Sequence, residues 1–177
     1  MLKNLQDTFN LLEQERKDLF AKLEMLDGDV LNYKPAADKW SITQIVFHLV
    51  KTEKLVVISM NRELKNINTA KKMGIKQALN SLLLNTALKT NLKFKAPEIV
   101  RKVPVEYDIN ELITKWITVR NNLKQALEKL NSDSIRKFVF EHPYSGKLDA
   151  VQTLNFLHNH FSHHLRQIEK LAKNVSH

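Results

Sequence analysis

Four histidines, His158, His160, His163 and His164, fall within seven residues of the stretch "HNHFSHHLRQ". Imidazole nitrogen is a common ligand for divalent metals, and two imidazoles four residues apart on a helix share a face and can converge on one ion. Among the four, His160 and His164 have that spacing. At about 100° per residue, the face that carries Leu154, Leu157, Phe161 and Ile168 also carries His164, with His160 on its flank one turn earlier. His163 projects outward, and His158 lies on the opposite flank.

A third ligand has to come from another element. His48 is the candidate, seven residues after Ser41 on the flank of an apolar helical face. Three neutral imidazoles make the protein ligand set of a catalytic zinc site, with one or more positions left to water or substrate. Spacing alone leaves a plainer assignment open: His164 as a satisfied core residue, His48 at a helix interface and the others solvated. His142, beside Pro143, belongs to a loop, either at the mouth of the site or packed locally, and the terminal His177 is set aside. Glu53 and Gln167 are candidates to support the ligands from behind.

The elements that must position these side chains read as helices. Leu5, Phe9, Leu12, Leu19 and Leu23 recur at helical spacing over about residues 2–26. A second helix opens at "WSITQI", where Ser41 is the N-cap, Gln44 closes a capping box and Trp40 against Ile45 forms a hydrophobic staple. It runs to about residue 64 and buries Ile42, Ile45, Leu49 and Val56. "IKQALNSLLLNTALKTNL" reads as a shorter helix in mid-chain. Asp108 or Asn110 then caps a helix with the stripe Leu112, Trp116, Val119, Leu123, Ala126 and Leu130. "NSDSIRKFVFEHPYSGK" reads as an irregular loop before a last helix from about Leu148 to Lys173. The expected fold is all-α: a four-helix bundle with a long crossover and a short extra helix between helices 2 and 3, in one domain spanning residues 1–177. Phe47 and Val50, away from the second helix's apolar stripe, point to a homodimer or to packing by the short middle helix.

Composition narrows the chemistry. The 177 residues contain no cysteine, which excludes disulfides, thiolate ligands and a cysteine nucleophile, so any metal sits on His, Asp or Glu. Any thiol chemistry needs a thiol from outside the chain. The sequence has no long uncharged apolar run, and its N-terminus interleaves charges with leucines, so a soluble, cytoplasmic protein without a membrane partner is expected. The net charge of +9 is concentrated in residues 65–102, where Lys65, Lys71, Lys72, Lys76, Lys89, Lys93, Lys95, Arg101 and Lys102 face the single acid Glu98. These cations share no helical stripe, and Phe94 is their one aromatic neighbour, which argues for a solvated basic face and against a nucleic-acid site.

"KWSITQIVFHL" resembles the opening of the second helix in the DinB-like superfamily: Lys-Trp-Ser, an apolar helical run, then a ligand histidine followed by leucine. "HPYSGKLDAVQTLNFLHNHFSHHLRQI" is similar to that superfamily's closing segment: His-Pro, a glycine-containing turn, an apolar helix, and His-x-x-x-His followed by Gln-Ile. The resemblance implies that His48, His160 and His164 form a divalent-metal triad within a four-helix bundle. It also implies a range of activities, from S-transfer dependent on bacillithiol, mycothiol or glutathione, through a mycothiol-dependent isomerase, to proteins described as metal-dependent hydrolases. A metal-dependent thiol S-transferase acting on a small molecule is the leading expectation, with zinc or nickel as the ion and a low-molecular-weight thiol as co-substrate. The alternatives are a metal-dependent hydrolase and a non-catalytic metal-containing binding protein with a basic surface.

Overall fold

The computed structural model describes residues 1–70, 72, 74, 103 and 107–175. Four long helices carry the fold: α1 (Lys3–Leu23), α3 (Ile42–Leu64), α4 (Ile109–Glu128) and α5 (Ala150–Val175), with a short α2 (Gly28–Asn32) between the first two. The fold is all-α, and the single sheet among the described residues is a small hairpin, β1 (Phe140–His142) with β2 (Gly146–Leu148).

Each long helix forms where its apolar stripe runs. Leu5, Phe9, Leu12, Leu19 and Leu23 of α1 are buried, as are Ile42, Ile45, Leu49 and Val56 of α3. In α4 the buried residues include Leu112, Trp116, Val119, Leu123 and Ala126, and in α5 Leu154, Leu157, Phe161 and Ile168. Fully burying one such side chain contributes about 1.5–3 kcal/mol, so the stripes supply most of the drive to assemble the bundle. Helix starts are set by side chains. The Ser41 hydroxyl accepts from Gln44 N (3.2 Å), and Gln44 Oε1 accepts from Ser41 N (3.1 Å), completing the capping box of α3. Asp108 caps α4, accepting from Asn110 N at 2.7 Å. A second box opens α5: Asp149 Oδ1 accepts from Gln152 N (2.8 Å) while Gln152 Oε1 accepts from Asp149 N (3.0 Å).

Side-chain pairs fix the directions. Glu15 meets His158 and Lys22 meets Glu169, so α1 and α5 run parallel. Phe47 meets Tyr107 and Glu53 meets Trp116, so α3 and α4 are parallel too. No tight turn can join a parallel pair, which explains why residues 65–108 separate α3 from α4 and agrees with the long crossover. The helix expected over residues 75–92 lies outside the described residues. The short helix that is described, α2, falls inside "DGDVLNYKPAADK", which reads as a connection in the sequence; buried Leu31 packs it onto the core, and its carbonyl accepts from Thr43 Oγ1 (3.0 Å). Part of the segment expected to be an irregular loop is the hairpin, paired Phe140 to Leu148, Glu141 to Lys147 and His142 to Gly146. Its turn closes through Gly146 at φ 73°, a left-handed conformation suited to glycine. Val50, expected outside the core, is buried, and the half-buried Phe47 packs its ring on Tyr107 at 5.2 Å. The apolar surface that suggested a homodimer is thus largely occupied within the chain.

A buried ionic network ties three helices together. Arg120 of α4 is 2 % exposed and Glu53 of α3 is 4 % exposed, with Arg120 Nε 2.6 Å from Glu53 Oε1. Trp116 Nε1 donates to Glu53 Oε2 at 2.7 Å, and Arg120 Nη2 donates to the same oxygen at 3.0 Å. Glu13 of α1 adds a longer contact to Arg120 (3.4 Å) and pairs with Arg16 at 2.8 Å. Burial pushes the Glu13 carboxyl up, but its Arg16 hydrogen bond and the Arg120 charge outweigh that and hold it below its ordinary value. Removing one partner of such a pair strands a buried charge. Glu53→Ala is expected to cost about 3–5 kcal/mol in urea unfolding, and a loss below about 1 kcal/mol would mean that the pair is already solvated or locally replaceable.

Candidate metal centre

The capping box sets the start and phase of α3, which puts His48 on the side facing α5, 3 % exposed. The four-residue spacing in α5 sets His160 and His164 on one face toward it. The rings meet: their centroids are 5.1 Å apart for His48 and His160, 4.8 Å for His48 and His164, and 4.6 Å for His160 and His164. One ring nitrogen from each residue lies within 4.8 Å of the others, and His48 Nε2 is 3.1 Å from His160 Nε2. Nitrogens bound to one tetrahedral ion at ~2.0–2.1 Å stand roughly 3.3 Å apart. The His48–His160 pair is already close to that separation, and since all three nitrogens lie within 4.8 Å, side-chain rotation that draws the wider contacts in completes a coordination set.

The electrostatics favour neutral rings, the form that binds a metal. Burial, reinforced by His164 and His48, holds the His160 imidazole well below its usual 6.5. Burial and then His48 depress His164 to about 3, while its hydrogen bond to Gln167 works in the opposite direction. A three-histidine cluster able to coordinate a metal ion is therefore present, built from a nitrogen-only donor set that suits zinc and other borderline divalent ions.

The surroundings come from the same elements. Trp40, just before the α3 cap, packs its ring 5.0 Å from His48. Phe156 stacks 5.4 Å from His160 and lies 4.7 Å from His142. His142 packs locally: its Nδ1 accepts from Tyr144 N and Ser145 N, both at 3.2 Å, and burial pushes its pKa down to about 4. His158 pairs with Glu15 at 3.1 Å on the opposite flank, as its helical position requires. His163 differs from the expectation of an outward ring, because it is half-buried and its Nε2 is 3.1 Å from Gln167 Nε2. Gln167 Oε1 in turn meets His164 Nδ1 at 2.9 Å. Glu53, named above as a support for the ligands, is taken up by Arg120 and Trp116. His177 lies outside the described residues. Sequence reasoning missed Phe156 and Arg120. The second was legible as a cation four residues after Trp116, inside an apolar stripe.

The sequence profile of the DinB superfamily matches residues 11–168, a span that includes all three clustered histidines. The chain belongs to the DinB superfamily. One relative, the uncharacterized protein YuaE of Bacillus subtilis (strain 168), is 25% identical over 166 residues, covering 94% of this chain and 98% of its own. No solved structure matches the chain.

The depressed histidines make the metal-free protein acid-sensitive. Unfolded, His160 and His164 titrate near 6.5; folded, both take up protons only well below that, His164 at about 3. Between those values the unfolded chain binds more protons, so stability is present above pH 6.5 and is lost as pH falls toward the folded values. Denaturant unfolding of metal-free protein from pH 7 to 5 is expected to show falling stability, with a shallower slope for His164→Gln. A flat wild-type profile would mean that these rings are protonated as readily in the folded protein as in the unfolded one.

Proposed function

We propose that this DinB protein, a single domain over residues 1–177, is a metal-dependent enzyme of small-molecule metabolism. In this reading His48, His160 and His164 hold zinc or nickel, and the reaction transfers a low-molecular-weight thiol to an electrophilic substrate. The observation that carries the reading is three mutually facing imidazoles from two helices, His48 and His164 buried and His160 half-buried, in a chain without cysteine. A bound divalent ion supplies Lewis-acid activation, lowering the pKa of a thiol or water in its open position so that it is nucleophilic at neutral pH. The chain contributes the rest. α3 and α5 fix the donors on facing helices, Trp40 and Phe156 wall the site with apolar rings, and burial disfavours protonation of His160 and His164.

A hydrolase is the second reading. It calls for a carboxylate base near the nucleophile, and Glu53, named above as a support behind the ligands, is committed to Arg120 and Trp116 and so does not serve as one. A binding protein acting through its basic surface ranks third, since the cations of residues 65–102 share no helical stripe and have Phe94 as their one aromatic neighbour. Among the described residues no helix is long and apolar enough to cross a membrane.

Ligands on different helices make metal binding stabilise the fold by mass action. At ~100 times the dissociation constant, zinc or nickel is expected to add roughly 2.7 kcal/mol at pH 7, read as a rise in melting temperature. His48→Ala should abolish most of that rise. Turnover is to be assayed with glutathione, bacillithiol and mycothiol against a panel of electrophiles. Absence of a metal-dependent shift, or an equal shift in His48→Ala, overturns the metal centre; a metal shift with ester or amide hydrolysis and no thiol turnover selects the hydrolase.

A further inference from the structure

Behind the cluster, three residues of α5 are linked in a row: His164 Nδ1 to Gln167 Oε1 at 2.9 Å, and Gln167 Nε2 to His163 Nε2 at 3.1 Å. The links span three and four residues of one helix, the separations at which side chains are surface neighbours. No other element is needed to hold them. The His163 ring also stands edge-on to His164, with centroids 5.2 Å apart and planes at 88°.

We propose that His163 and Gln167 form a relay that sets the tautomer of His164, which makes Gln167 a positioning residue for the metal centre and gives His163 an indirect part in it. The proposal rests on the ligand assignment above for its effect on metal affinity, but its hydrogen-bond logic stands without a metal. A neutral imidazole has one N–H donor and one lone-pair nitrogen, whereas an amide oxygen only accepts and an amide nitrogen only donates. With Gln167 Oε1 toward His164, Nδ1 of His164 carries the proton and Nε2 presents its lone pair to the cluster. The Gln167 nitrogen then donates to His163, whose Nε2 has to carry a lone pair.

Turning the amide over reverses every role. His164 Nδ1 would then accept, and its Nε2 would carry a proton into the space where His48 and His160 converge. Such a ring cannot ligate through Nε2 without first losing that proton. Gln167 couples the two rings, so a His163 that keeps its lone pair on Nε2 accepts from the amide nitrogen and favours the state in which His164 Nε2 is free to ligate. This accounts for two adjacent histidines in "HFSHHLRQ" when a single one completes the i, i+4 pair. Hydrogen bonds from the remaining ring nitrogen of a metal-binding histidine are the general means of fixing tautomer and orientation, and losing them typically weakens metal affinity about 10–100-fold.

Gln167 is exposed, so the relay is separable from folding. The test uses the full chain with labelled imidazole nitrogens, observed by NMR without metal at pH 7, alongside zinc titration of the same proteins. In wild type, His164 is expected as the Nδ1–H tautomer and His163 with its Nε2 unprotonated. Gln167→Ala should move His164 toward the Nε2–H form and raise the zinc Kd about 10–100-fold, while the melting temperature of the metal-free protein changes little. Gln167→Glu keeps an acceptor for Nδ1–H and should restore both the tautomer and most of the affinity. His163→Ala should give a mixed tautomer and an intermediate loss. A wild-type His164 protonated on Nε2, or a Gln167→Ala protein with unchanged tautomer and zinc Kd, overturns the relay. If wild type shows the expected tautomers but binds neither zinc nor nickel, the ligand assignment fails and the relay stands.

Discussion

Three imidazoles, two buried and one half-buried, are packed against one another between α3 and α5, and the rest of the site depends on what that juxtaposition permits. A protonated ring there would lose its hydration and face two others, and both effects disfavour charge. Neutral rings bring a different problem, since lone pairs that converge in a low-dielectric interior repel unless a proton or a cation lies between them. The 3.1 Å approach of His48 to His160 can be met by one shared proton, but a third nitrogen then has no equivalent partner in the cluster. A divalent ion satisfies all three nitrogens at once and needs no ring to be charged. The arrangement is therefore costly as a piece of hydrophobic core and well suited to coordination.

Holding two helices in register to within a fraction of an ångström requires more than apolar stripes, which slide with small penalties. The Glu53 carboxylate, five residues beyond His48 on the same helix, is gripped by Trp116 and Arg120 of α4, and Arg120 reaches on to Glu13 of α1. A pair of this kind adds little net stability relative to apolar residues of similar size, yet it tolerates few alternative arrangements. It fixes α3 against α4 and α1 while the opposite side of α3 meets α5. On the α5 side, the Asp149 and Gln152 capping box sets where that helix begins, and the β1–β2 hairpin just before it delivers the chain to that point. Register on both sides of α3 is thus set by polar contacts of defined geometry.

The parts of this design that repeat along one helix were legible in the sequence. The apolar stripes, the Ser41 box and the His160/His164 spacing are properties of single segments, and each appears in the fold with little change. The β1–β2 hairpin was hidden because its strands are three residues each, too short for alternation to register, although Gly146 after "HPYS" marks the turn. α2 was hidden for a similar reason, since five residues show no helical period and it is held by tertiary contacts from Leu31 and Thr43. Val50 looked exposed because a stripe drawn from one helix assumes one buried face, whereas α3 is packed on several sides by α2, α4, α5 and the hairpin. The Asp149 box was readable, having the same three-residue spacing as Ser41 and Gln44, and it went unread beside the histidines.

A cysteine-free chain with an all-imidazole ligand set places a particular demand on any thiol chemistry. With no protein thiolate in the cluster, the ligands would add no negative charge to a bound ion, and its full positive charge would be available to lower the pKa of a thiol that coordinated it. A resident cysteine ligand would offset part of that charge and weaken the activation. Neutral ligands also leave the site attractive to anions, and the low-molecular-weight thiols of cells carry carboxylates. The cations clustered in residues 65–102 add an attraction of the same sign for anions, which the proposed thiol chemistry would use if its co-substrate carries a carboxylate.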